Sequence, residues 1–139
     1  MEDKIKVSID ILIIENNKVL LGLFAKKWRE DGKSMYGLPG REIHFQEKIG
    51  DAVKRNIKEE LGCSTKTYTI IAVNANYAYG NHYIGIGVLA EIEGLPKVTK
   101  PEDWDNWEWH TLDNLPQNLF PPAINLITSY RTHKITVSE

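Results

Sequence analysis

The residues best placed to do chemistry lie in one run, Gly37 to Gly62, which reads GLPGREIHFQEKIGDAVKRNIKEELG. Ile49, Ala52, Val53, Ile57 and Leu61 recur within it at helical spacing, so the second half should be a helix. On that helix positions 56, 59 and 60 are related by steps of three and four and share a face. Asn56, Glu59 and Glu60, with Arg55 beside them, therefore form a cluster of hard oxygens. Such a cluster suits Mg²⁺, which takes carboxylates, keeps several waters and shares substrate phosphates. The preceding loop would bring the exposed backbone of Gly40 alongside. Taken alone, a Glu-Glu pair is more often a solvated helix face, and both carboxylates are expected to be at least partly exposed. The surrounding pattern reverses that preference.

The pattern resembles the Nudix box: Gly, five residues, Glu, seven residues, Arg-Glu, an apolar residue, any residue, Glu-Glu, any residue, Gly, an apolar residue. Glu59-Glu60 fall on the paired glutamates, Gly62 on the late glycine, Ile57 on the apolar position, Arg55 on the arginine and Glu47 on the early glutamate. The lead-in Leu38-Pro39-Gly40 also fits. Two positions depart. Arg41 stands where the box opens with glycine, and Asn56 replaces the glutamate after the arginine. Asparagine takes no proton at neutral pH and is a weak neutral ligand.

The resemblance implies an α+β fold, an α/β/α sandwich with a mixed β-sheet between helices. It implies a Mg²⁺-dependent hydrolase, with Mn²⁺ able to substitute, that cleaves a diphosphate linkage in a (deoxy)nucleoside triphosphate or a related nucleoside diphosphate derivative. The Gly40 carbonyl, Glu59 and Glu60 would hold metal. Glu102, with Asp103 next in line, would complete the site from the loop before the Trp107-Glu108-Trp109 strand. Glu47 and Arg55 would pair and fix the loop against the helix, and Asn56 could orient a water. Arg41, Phe45, Tyr79 and His82 are the candidates for holding substrate, the aromatic faces by stacking on a base. Two other readings stay open: a nucleotide-sugar hydrolase of the GDP-mannose type, and a non-catalytic nucleotide-binding domain.

The elements that must position these residues are legible in outline. Val7, Ile9, Ile11 and Ile13 alternate as a strand, Asn16-Asn17 signals a turn, and Lys18 to Phe24 returns. Lys26 to Lys33 reads as loop. Tyr68 to Asn76 and His82 to Ile92 read as further strands, with Gly85 and Gly87 on one face of the second, where something must approach closely. Trp107 to Leu112 is a short strand, with Trp107 and Trp109 expected to share a face against a helix. A last helix opens at Pro121 or Pro122 and runs through Tyr130. The whole reads as one domain, 1–139, with 132–139 a loosely held tail.

Composition sets the frame. The 139 residues are 42% hydrophobic and 26% charged, with net charge −2, which is ordinary for a globular domain. That charge argues against a broad nucleic-acid-binding face, which needs clustered Lys and Arg, but not against a single nucleotide. One cysteine, Cys63, excludes an internal disulfide and a cysteine-rich metal site and reads as a small buried residue. The first ten residues lack the apolar run of a signal peptide, and no stretch has the length of a membrane span. The expected setting is cytoplasmic, with a nucleotide as partner, no nucleic acid, no membrane, and a homodimer left open.

Overall fold

The computed structural model describes residues 4–29, 32–78 and 80–137. A mixed sheet lies between two helices. Strand β1 (Ile5–Glu15) and β2 (Lys18–Phe24) form a hairpin. Its two turn residues, Asn16 and Asn17, both have positive φ, 51° and 60°, the backbone that a tight hairpin turn demands and asparagine tolerates. After a short 3-10 turn (Lys26–Trp28) come β3 (Tyr36–Gly37), helix α1 (Ile49–Leu61), the long antiparallel pair β4 (Ser64–Ala78) and β5 (Asn81–Glu93), β6 (Trp104–Thr111), helix α2 (Pro121–Thr132) and β7 (Thr136–Val137). The strand order is β3-β2-β1-β5-β4-β7, with β6 pairing β2. β1 runs parallel to β5 over nine register positions, from Ile5↔His82 to Ile13↔Ala90.

Alternation along β1 decides which helix covers which face. Ile9, Ile11 and Ile13 pack with Ala52, Val53, Ile57 and Leu61 of α1. Leu12 packs on the other side with Ala123, Leu126 and Ile127 of α2. The expected close approach at the β5 glycines is real. A Cβ on Gly87 would sit 2.8 Å from Leu126 Cδ1, and one on Gly85 would sit 2.3 Å from Asp10 Oδ2. Helix α1 ends at Gly62, whose φ of 68° is left-handed, as a glycine stop should be. Cys63 is buried.

Several expectations change. The strands run longer than their apolar periodicity, because pairing continues after the core-facing residues end: β4 begins at Ser64 and β6 at Trp104. Trp107 packs on the α1-side core, but Trp109 is exposed. The segment expected to trail loosely instead completes α2 through Thr132 and adds Thr136–Val137 in parallel to β4, since the free edge of β4 offers unpaired backbone groups. No helix among the described residues is long and apolar enough to cross a membrane.

Candidate functional site

The loop from Pro39 to Ile43 lies against the first half of β1, where β2 no longer pairs. Ile11 N donates to Pro39 O (3.0 Å), Ile9 N to Arg41 O (2.9 Å) and Ile43 N to Val7 O (2.9 Å). Contact is so close that a Cβ on Gly40 would lie 1.9 Å from Ile9 O, and its φ is +133°. Only glycine passes here.

Arg55 then locks the loop to α1. Its Nε donates to Glu47 Oε2 (2.7 Å) and its Nη2 to Glu47 Oε1 (3.0 Å) and to the Glu42 carbonyl (2.9 Å). Its Nη1 reaches Glu59 Oε2 at 3.0 Å. The Arg55 hydrogen bonds, helped by the His44 backbone N–H, hold the Glu47 carboxyl down at about 2. Thus Glu47, Arg55 and Glu59 form one connected group, charge-assisted throughout.

The paired glutamates part company. Glu59 keeps 44% of its side chain exposed, whereas Glu60 keeps 1%. The expected exposure of both therefore fails for Glu60, because the helix turns it inward with Ile57 and Leu61. Burial raises the Glu60 carboxyl, against the opposing pull of Arg41 and Lys100. Asn56 is fully buried, and its Nδ2 donates back to the Ala52 carbonyl at 2.8 Å. Asn56 Oδ1 and Glu60 Oε2 are both sealed from solvent without a donor. Unpartnered buried acceptors are costly, and hard oxygens in that state beside a half-exposed carboxylate fit a divalent cation. Among the described residues, no three acidic, histidine or cysteine side chains converge as a metal cage. The fit thus rests on two carboxylates and one amide oxygen.

Arg41, expected to hold substrate, reaches across the site. Its Nε lies 3.4 Å from Glu60 Oε1, and its Nη2 bonds the Asp103 carboxylate. Asp103 is buried and also accepts from Trp28 Nε1 at 2.9 Å. Its neighbour Glu102, the first choice from sequence for the completing acid, is exposed in the turn before β6 and does not line the site. Asp103, the next residue, faces inward instead.

Beside this cluster opens a cavity of about 270 Å³, lined in part by Gly40, that shares Arg41 and Asp103 with it. Phe24, Trp28, Trp104 and Phe120 line it, and Phe24 stacks on Trp104 with centroids 4.5 Å apart. Ser8, Asp10, Asn76 and Tyr83 supply polar groups. Burial pushes the Asp10 carboxyl up to about 7, against a hydrogen bond from Ser8. The other candidates for holding substrate stand elsewhere. Phe45 is 91% exposed. His82 lies against Tyr77 at 4.8 Å and does not line the cavity. Tyr79 lies outside the described residues. His110 contacts Glu108 at 3.0 Å.

Sequence reasoning missed Asp10 and the aromatic walls. The available signal was an acid in the middle of the apolar run Ile9 to Ile14, two positions along from Ser8 and across from Gly85 and Gly87.

The comparisons agree with this architecture. The model of the NUDIX domain family matches residues 4–130. An ADP-ribose pyrophosphatase of Methanocaldococcus jannaschii is 29% identical over 116 residues, which cover 82% of this chain and 66% of that protein, so the chain spans just under two thirds of that relative's length. A crystal structure of a MutT NUDIX hydrolase from Burkholderia pseudomallei superposes with a TM-score of 0.81 at 28% identity, covering 91% of this chain and 98% of the other. A NUDIX hydrolase from Nitrosomonas europaea shares the fold, with a TM-score of 0.78 at 18% identity, covering 96% and 93% of the two chains.

Proposed function

The chain belongs to the Nudix family, and we propose that it is a pyrophosphohydrolase cutting the diphosphate linkage of a nucleoside diphosphate derivative, of the ADP-ribose type or a nucleoside triphosphate. The observation that supports this reading most is the shared boundary: Arg41 reaches Glu60 of the α1 carboxylate cluster and also lines the aromatic cavity. A nucleotide whose base enters the cavity would leave its phosphates at Arg41, Glu59 and Glu60. The likeness to a relative called an ADP-ribose pyrophosphatase favours the same class.

In this proposal the Gly40 carbonyl, Glu59, Glu60 and the Asn56 amide oxygen hold Mg²⁺, with Mn²⁺ able to replace it. Its contribution when bound is to offset charge on the phosphate oxygens and to make a bound water more acidic. The chain's own residues do the rest. Arg55 and Glu47 keep the loop seated on the helix. Arg41, a planar fork of donors, exchanges Glu60 and Asp103 for phosphate oxygens. Asn56 has no group that accepts a proton, so the water's proton would pass to a carboxylate outside the set that holds the metal. The protein would act in the cytoplasm.

A screen of nucleoside triphosphates, ADP-ribose and nucleotide sugars with Mg²⁺, with products identified, tests this. Two phosphate-bearing products should form, activity should vanish with a chelator, and Mg²⁺ or Mn²⁺ should restore it. Release of a free sugar, or full activity in excess chelator, would exclude it.

A further inference from the structure

The acid just before β6 bonds to two walls of the cavity at once. Asp103 Oδ1 accepts from the indole Nε1 of Trp28 at 2.9 Å, while Oδ2 accepts from the Arg41 guanidinium. Its own backbone is fixed. Asp103 N donates to Lys100 O (3.0 Å), and Asp103 O accepts from Ala25 N (2.8 Å). Only 12% of its side chain is exposed. Arg41 stands between this carboxylate and Glu60.

Trp28 needs such a post. It closes a 3-10 turn of three residues that buries none of them. A turn that short has poor hydrogen-bond geometry and little hold of its own. Arg29, the next residue, ties the chain to Phe24 O (2.9 Å) and to Asp105, but those bonds do not set the angle of the indole. The bond to Asp103 does. Of the aromatic walls, Phe24 and Trp104 lie on paired strands and stack on each other, so Trp28 is the wall that a single side-chain bond orients. Lys27 Nζ lies 3.9 Å from Asp103 Oδ1 and 5.0 Å from the centre of the Trp28 ring. A positive charge therefore stays beside the carboxylate when Arg41 turns to phosphate.

We infer that Asp103 is a positioning residue for nucleotide binding: its carboxylate holds the Trp28 indole as a wall of the cavity, whether Arg41 rests on it or has gone to the phosphates. This rests on the nucleotide reading above and names the residue that shapes its base-binding wall. Asp103 acts through Trp28, so its loss weakens binding and leaves the bond-breaking step in place.

The test measures kcat and KM with Mg²⁺ on whichever of ADP-ribose and the nucleoside triphosphates the wild type cleaves. In Asp103→Ala KM should rise about tenfold, the scale of one hydrogen bond to a charged group, with kcat within about threefold, the mark of lost binding that is common to ground and transition states. Asp103→Asn turns an amide N–H toward Arg41 and so breaks that pairing as alanine does, yet its oxygen still accepts from Trp28; it should recover most of the KM. Trp28→Phe keeps a ring on the wall and deletes the donor, so it should raise KM by a similar factor. In that background Asp103→Ala should change KM by less than about twofold, because the two substitutions remove one and the same bond. Should Asp103→Ala fail to fold, Trp28→Phe and Asp103→Asn carry the test between them. A fall in kcat of about a hundredfold in Asp103→Asn, or a KM effect of Asp103→Ala that persists in full beside Trp28→Phe, or an unchanged KM in Trp28→Phe, overturns the inference alone. Failure of the wild type to cleave any of these nucleotides overturns the nucleotide reading with it.

Discussion

Arg41 and Asp103, 62 positions apart in sequence, are joined by a hydrogen bond from guanidinium to carboxylate, and the same guanidinium lies 3.4 Å from Glu60. A cation built into the chain thus sits on Glu60, one of the carboxylates proposed to hold a divalent ion.

We predict from this that Arg41→Ala binds Mn²⁺ more tightly than the wild type, by about tenfold, because a fixed positive charge near the site disfavours a second one. Calorimetry or the electron paramagnetic resonance of free Mn²⁺ reads the affinity without any substrate. An unchanged affinity would show that Arg41 does not compete for these carboxylates.

The two glutamates should separate when neutralised. Glu59→Gln and Glu60→Gln should each lower turnover by roughly 10²-fold or more, the scale of losing electrostatic stabilisation of a transition state. Their melting temperatures should move in opposite directions. Glu60 is buried with its carboxyl raised, so an amide there removes a charge that folding disfavours. Glu59 loses its bond to Arg55 and should melt slightly lower. Undiminished activity in both variants would remove them from the metal site.

Asn56→Glu offers a third check. The wild-type amide donates to Ala52 O and is wholly buried. A glutamate loses that donor and sets a second acid beside Glu60. In chelator we expect a destabilisation of roughly 1–3 kcal/mol, the cost of an unsatisfied buried group. Mn²⁺ should reverse it by giving both carboxylates a partner. Identical melting with and without Mn²⁺ would place position 56 out of the ion's reach.

Acid stability should report the Glu47–Arg55 pair. The Glu47 carboxyl titrates at about 2 when folded, against an ordinary 4.5. Its stabilisation is therefore complete above about 4.5 and is lost as pH falls toward 2. Melting temperature measured from pH 6 to pH 2 should fall less steeply for Glu47→Gln than for the wild type. Parallel curves would sink the assignment.

The sequence by itself determined the local parts. The period of Ile49, Ala52, Val53, Ile57 and Leu61, closed by Gly62, specifies α1 to its end residues, because helical hydrogen bonds reach only four residues. The resemblance to the Nudix box implied a Glu47–Arg55 pair, which the structure brings to 2.7 Å. The Asn16-Asn17 turn was legible for the same reason, since positive φ is a property of the residue.

Tertiary structure alone decided the rest. Periodicity states which face a residue occupies, not what covers that face. Asp10 and Leu12 share one face of β1; Leu126 and its neighbours pack on Leu12, while Asp10 is left at the cavity floor beside Gly85, 75 residues further along the chain. That Asp103 faces inward while Glu102 is exposed likewise depends on Arg41 and Trp28, partners no local pattern can supply. Long-range register, set by the pairing of β1 with β5, is what turns an isolated acid in an apolar strand into part of a site.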